Sequence, residues 1–273
     1  MTTPGSTPLR LNQVPASRGV LWMRQGFQVF LRKPFAFTGL LATVLVATML
    51  LSLIPALGVL AMLVFLPTLT LVFMMATQLV LKGGTPMPVQ LIVPLRADPK
   101  RRNTLLKLGA AYAVATFLIV VLSAWADGGA MDALESAIIG GTDPTAALDD
   151  PRLQYGLLLR LGLTALLSVP FWHAPALVWW GGQGLGQSLF SSTLACWRAR
   201  GAFLVYGLAW AAVFIVMATL MALIFGLLGS RELLAVAAIP TGLIFSTAFY
   251  TSLYFTFVDS FSAAVVEVPT AEA

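Results

Sequence analysis

The chain of 273 residues is 59% hydrophobic and only 10% charged, with a mean hydropathy of +0.90, whereas soluble domains carry about 25% charged residues. This composition excludes a water-soluble globular domain, which needs a polar surface of its own. A single cysteine, Cys196, excludes an intramolecular disulfide, and the formal charge of +5 takes its meaning from its placement along the chain.

Residues 1–16 are rich in Pro, Ser and Thr and read as a disordered tail. The Arg- and Pro-dotted lead before the first long apolar stretch is too long for an ordinary cleaved signal. Residues 17–32, SRGVLWMRQGFQVFLR, form an amphipathic helix at 100° per residue. Val20, Trp22, Met23, Gly26, Phe27, Val29, Phe30 and Leu31 fall on one side, and Arg18, Arg24, Gln25, Gln28 and Arg32 on the other, with Leu21 the one misfit. An apolar face with Trp and Phe opposed by Arg predicts a helix lying in the membrane surface, with Trp22, Phe27 and Phe30 at the interface.

Phe35 to Leu81 carries no charge. One helix of that length would be about 70 Å long, against a hydrocarbon core of about 30 Å. The chain must turn back, and Ile54-Pro55-Ala56-Leu57-Gly58 is the place for it. That predicts spans at 35–54 and 58–81. A basic, Pro-rich connection from Lys82 to Asn103 leads to a third span at 104–125. Residues 126–152 form an acidic loop with a short helix at 131–139. The fourth span, 153–180, is kinked by Pro170 and Pro175. Residues 185–198, LGQSLFSSTLACWR, form a second surface helix, with Leu185, Leu189, Phe190, Leu194, Cys196 and Trp197 toward lipid and Gln187, Ser188, Ser191, Ser192 and Arg198 toward water. Spans at 201–229 and 233–258 follow. Helices are the only option, because every backbone group must be satisfied in lipid and no barrel-like alternation is present.

The predicted fold is therefore all-α: a polytopic bundle of six spans in three hairpins, with two amphipathic helices on the cytoplasmic surface. It forms one membrane domain over 17–262, with a short tail at 263–273. If the N-terminus is cytoplasmic, all of the 16 Lys and Arg lie inside except Arg152, Arg160 and Arg231. The acidic loop then lies outside. Membrane orientation thus accounts for the basic residues, and nucleic-acid binding has no motive. Trp125, Trp179 and Trp180 fall at predicted span ends. The match of LRKPFAF (31–37) to WRARGAF (197–203) is too short to separate a repeat from the basic start that any inward-rooted hairpin shares.

Several of these residues carry a resemblance. Arg18-Gly19, Trp22, Gly26-Phe27, Phe30 and Arg32-Lys33-Pro34 form a motif resembling G-F-x-x-F-x-R-x-P, and Phe171 to Leu177 one resembling F-x-x-A-P-A-L. The chain resembles a family of bacterial six-span inner-membrane proteins with an N-terminal interfacial helix. More distantly it is similar to the membrane domain of glycerophosphodiester phosphodiesterases, without their catalytic part. The resemblance implies an inner-membrane location and carries over no catalytic residue.

His173 is the only histidine. An ionisable group within a span is a functional candidate by default. A lone neutral histidine is also easily satisfied by hydroxyls of a neighbouring helix, and span 6 offers Ser246, Thr247, Tyr250, Thr251, Ser252 and Tyr254. His173, Tyr250 and Tyr254 form the candidate intramembrane polar site, with packing the expected role of His173. Arg160 and Asp259 are expected to snorkel to opposite surfaces. Ala218, Ala222 and Gly226 form a small-residue row on span 5 that predicts close helix contact. The acidic loop matches no calcium-loop spacing, GGQGLGQS (181–188) lacks the ending of a phosphate loop, and no nucleophile elbow accompanies the one histidine. No catalytic, metal or cofactor site is expected. The expected role is a non-enzymatic membrane scaffold, assembly or lipid-interacting protein; the rival is a small-molecule or lipid transporter using span 4 and the hydroxyls of span 6. The expected partners are the lipid bilayer and, beyond it, a membrane protein or a second copy of the chain.

Overall fold

The computed structural model describes residues 9–54, 57–96, 98–141, 143, 148–229 and 231–263. Most of the two tails, and Pro55, Ala56 and Ser230 at two of the expected turns, lie outside the described residues. Six helical segments are long and apolar enough to cross a membrane: Pro34–Leu51, Leu57–Leu81, Pro99–Asp127, Pro151–Gly181, Arg200–Leu227 and Val236–Ser260. The chain is thus an all-α polytopic bundle, with each expected span found.

Local chemistry sets the helix ends. Helix α1 (Arg18–Arg32) stops because Pro34 cannot extend it, and the same proline opens α2 (Pro34–Leu51) at a position where no N–H is needed. After α3 (Leu57–Leu81), the prolines of the middle connection allow only two short 3-10 turns, Pro88–Ile92 and Pro94–Arg96. Asp98 caps α4 (Pro99–Asp127) by accepting from the Lys100 N–H at 3.1 Å. The left-handed Gly128 and Gly129 end α4 and let α5 (Ala130–Ile139) start at once. Asp150 caps α6 (Pro151–Phe171) through the Arg152 N–H at 2.8 Å. The Arg152 side chain also holds the Asp150 carboxyl below its ordinary range. Span 4 is α6 and α7 (Ala174–Gly181) joined at a kink. Then come α8 (Leu185–Arg198), α9 (Arg200–Leu227) and α10 (Arg231–Ser260).

Helix α3 is central and packs on α2, α4, α7 and α10. Its Leu71, Phe73, Met74 and Ala76 are fully buried. Helix α6 packs on the other side of α4, where a Cβ on Gly156 would sit 2.5 Å from the Asp127 Cβ. At Gly109 a side chain would run into the Val64 carbonyl, so α3 and α4 meet backbone to backbone.

Helix α1 does not lie flat on the membrane surface. Gly19 packs on Ala202, and Phe27 stacks on Trp210 with centroids 5.2 Å apart, so α1 runs in step with α9. Arg18 meets Asp259, Gly26 packs on Ser252, and Phe27 meets Phe245, so it runs against α10. The helix is wedged lengthwise between spans 5 and 6. Trp22 is 0% exposed, and Val29 and Phe30 are also buried. The face read from the wheel is the buried face, but its partner is protein. The reason is steric: Gly19 and Gly26 remove the side chains that would hold α9 and α10 away.

The two tails also meet. Leu9–Leu11 (β1) pairs antiparallel with Phe261–Ala263 (β2), in register Leu9↔Ala263 and Leu11↔Phe261. Leu9–Leu11, expected within a loose N-terminal tail, form a strand because a second strand satisfies their backbone. Both ends of the described chain thus lie at one end of the bundle.

The packing at Gly26 gives a first prediction. Gly26→Leu should lower the thermal stability of the detergent-solubilised protein by about 1–3 kcal/mol, the range for overpacking a tight contact. Gly39→Ala, where an added Cβ meets nothing within 4 Å, should leave the melting curve unchanged.

Candidate functional site

Asp259 closes the terminus-bearing end of the bundle. Its carboxylate accepts from Arg18 Nε at 2.6 Å and Arg18 Nη2 at 2.8 Å, and from Trp22 Nε1 at 2.6 Å. Its main-chain carbonyl accepts from the Asn12 side-chain amide at 3.2 Å. Asp259 therefore does not reach out to water as expected from its place near a span end. It is held by two residues of α1, and the paired carboxylate keeps the Arg18 guanidinium more firmly protonated than usual. Sequence distance hid this pair, since 241 positions separate the two residues. Arg160 lies on α6, and its Nε has no hydrogen-bond partner among the described residues.

The span-4 kink has a specific cause. In an unbroken helix the His173 N–H would bond the Val169 carbonyl. Here the Ser192 hydroxyl enters between them, accepting from the His173 N–H at 2.9 Å and donating to the Val169 carbonyl at 3.0 Å. Cys196 Sγ donates to the same carbonyl at 3.6 Å. Pro170 and Pro175 weaken the ladder, and α8 repairs it from the side. Helix α8 thus turns its small polar face inward: Ser188, Ser192, Ala195 and Cys196 are buried, while Phe190 and Trp197 are exposed. Phe190, Leu194 and Trp197 stay on the outer face as expected, but Ser188 and Ser192 turn inward rather than to water, because the broken backbone of span 4 needs those hydroxyls.

His173 is 0% exposed, and its ring lies among Phe203, Phe257 and Phe261, with centroids 5.9, 5.9 and 5.5 Å away. Neither ring nitrogen has a hydrogen-bond partner among the described residues. The Val169 carbonyl, left open by the kink, is already bonded by Ser192. The candidate polar triad is not assembled, since Tyr250 stacks on Phe73 at 5.0 Å and Tyr254 lies edge-on to Trp180 at 6.2 Å. The hydroxyls of span 6 are used in packing. Thr77 donates to the Thr251 carbonyl at 3.3 Å, Thr251 to the Gly26 carbonyl at 3.0 Å, and Ser252 pairs with Tyr206 at 2.6 Å. These bonds join α3, α10, α1 and α9. Of the four residues expected at the membrane interface, Trp22 and Phe30 are buried against α9, α10 and the core, Phe27 is half-buried against Trp210, and Trp197 is 67% exposed. The row Ala218, Ala222 and Gly226 faces outward and makes no close helix contact among the described residues.

The feature the sequence did not expose is a groove between spans 4 and 5. It holds ≈ 530 Å³, within the range of about 300–1,000 Å³ typical of small-molecule sites. One wall is Ala165, Ser168, Val169 and Trp172; the other is Phe203, Leu204, Tyr206, Gly207 and Trp210; Phe249 lies behind and Cys196 and Trp197 at the end. Trp172 is fixed by its indole N–H, which donates to the Thr256 hydroxyl at 3.2 Å. The lining is aromatic and aliphatic, and Ser168 already bonds the Ala165 carbonyl at 2.7 Å. The one charged lining group is Arg200, whose guanidinium lies 5.5 Å over the Trp197 ring. Exposed Leu166 and Leu204 flank the opening, so the groove faces the apolar outer surface. A second cavity of ≈ 220 Å³ between α2, α3 and the 3-10 turns has no charged group in its lining.

Two outcomes follow from the kink. Ser192→Ala strands the His173 N–H and leaves the Val169 carbonyl only the weak Cys196 thiol, and should cost about 1–3 kcal/mol in a thermal melt, the usual cost of leaving a buried polar group unpaired. Burial pushes the Cys196 thiol up to about 12. A maleimide should therefore label Cys196 in the folded protein at least roughly a hundred-fold more slowly than an exposed cysteine of pKa about 8.5, and fully after denaturation. Fast labelling of the folded protein would refute this packing.

Over 250 residues the chain is 32% identical to a probable inner membrane protein of Burkholderia thailandensis, an alignment covering 91% of this chain and 93% of that one. No family model and no solved structure matches the chain. Identity of this order across almost the full length of both chains, together with six helices fit to span a bilayer, assigns the family: the chain belongs with that protein in a family of multi-pass inner-membrane proteins.

Proposed function

We propose that this protein is a non-enzymatic, lipid-interacting protein of the inner membrane, with both termini in the cytoplasm, and that the groove between α6 and α9 seats a lipid acyl chain. The observation that carries this reading is the groove itself: an apolar, aromatic-walled channel that opens sideways onto the surface facing the bilayer. Its length supports the match. Arg200 to Trp210 is ten residues of helix, or about 15 Å, which is half of a hydrocarbon core of about 30 Å. That length would take an acyl chain of one leaflet.

The placement of positive charge supports the cytoplasmic termini, since Arg18, Arg198 and Arg200 all lie at helix ends on the terminus-bearing side. A transport path along span 6 finds less support, because Ser252 and Thr251 are bonded to neighbouring helices and Thr256 to the Leu253 carbonyl of its own helix.

Gly207 allows a clean test. It lines the groove, and a Cβ there meets nothing within 4 Å. Gly207→Phe should fold normally while filling the groove. Native mass spectrometry of the gently extracted protein should show a lipid adduct that survives delipidation, and this adduct should be strongly reduced in Gly207→Phe. Equal adducts on both proteins, or none on either, would refute the reading.

A further inference from the structure

We infer that the groove selects an anionic glycerophospholipid, with Arg200 as the ligand of its phosphate. This inference rests on the lipid-binding reading above and specifies its chemistry. The groove joins an apolar channel to one fixed cation at its terminus-bearing end, which is the order of groups in a phospholipid: chain, then phosphate.

Arg200 is suited to that place. It is the first residue of α9 and lies exposed at the groove mouth. Among the described residues no carboxylate pairs with it, whereas Arg18 at the same end is neutralised by Asp259. Stacking over Trp197 fixes the guanidinium without using its N–H donors, so the fork stays open to phosphate oxygens. Arg198, also exposed, adds a second positive charge two residues away.

Charge supplies the selectivity. A zwitterionic headgroup brings an ammonium as well as a phosphate. The groove lining contains no Asp or Glu to receive that ammonium, and two arginines oppose it. An anionic headgroup gains the phosphate contact without that opposition. The chain-binding walls, by contrast, are indifferent to the headgroup. The two halves of the site can therefore be separated by substitution.

The test uses the full chain in detergent, delipidated and then offered equimolar phosphatidylglycerol and phosphatidylethanolamine with identical acyl chains, read by native mass spectrometry. The natural protein should retain phosphatidylglycerol about five- to tenfold over phosphatidylethanolamine, the effect of about one arginine charge near an anionic headgroup. Arg200→Gln should bind both lipids equally, with an unchanged melting temperature because Arg200 is exposed, and Arg200→Lys should restore part of the preference. Gly207→Phe should lose both lipids. If the natural protein binds neither lipid, the lipid-binding reading falls. If it binds both without preference, or if Arg200→Gln keeps the preference, the headgroup inference falls while the acyl-chain site stands.

Discussion

A carboxylate near the end of a membrane span must be paired or hydrated, and Asp259 is paired. Its three charge-assisted hydrogen bonds to Arg18 and Trp22 decide where α1 goes, and α1 decides much else. Once Arg18 and Trp22 are anchored, Gly19 and Gly26 sit in the seam between α9 and α10, and Phe27 reaches Trp210 and Phe245. Spans 5 and 6 touch each other only modestly, and α1 joins them over a longer surface. The aromatic residues that α1 holds, Phe203, Tyr206 and Trp210, are also one wall of the groove. Removing the carboxylate would therefore loosen a site that Asp259 does not touch.

A second economy governs the polar atoms. In lipid, an unbonded backbone group costs several kcal/mol, so hydroxyls are scarce goods. Ser192 repairs the broken ladder of span 4, Thr77 and Thr251 stitch α3 to α10 and α1, and Ser252 bonds Tyr206. The His173 ring stands outside this pattern, sealed among phenylalanines. Only its backbone N–H takes part in the repair.

The spans were legible because hydropathy and charge are local properties: the Phe35–Leu81 run, the proline stops and the acidic caps at Asp98 and Asp150 each act within a few residues. The buried face of α1 was legible for the same reason. Its partner was not, because a helical wheel sorts apolar from polar without saying whether lipid or protein covers the apolar side. Helix α8 shows the converse failure. Its serines read as a wetted face, but a proline-broken span twenty residues earlier draws them inward. The groove was least legible of all, since its walls come from four helices and no short stretch of sequence carries its shape. Two cues were present, Arg200 immediately before a span and Gly207 within it, but both are ordinary features of membrane helices.

The pairing of β1 with β2 sets an order of events during synthesis. The first described residues find their partners among the last described ones, 241 positions away for Arg18 and Asp259. At about 5–20 residues per second, α1 is made roughly ten to fifty seconds before the helix it needs. During that interval its Trp22 and Phe30 have no protein to cover them, and the membrane surface is the natural refuge for an amphipathic helix.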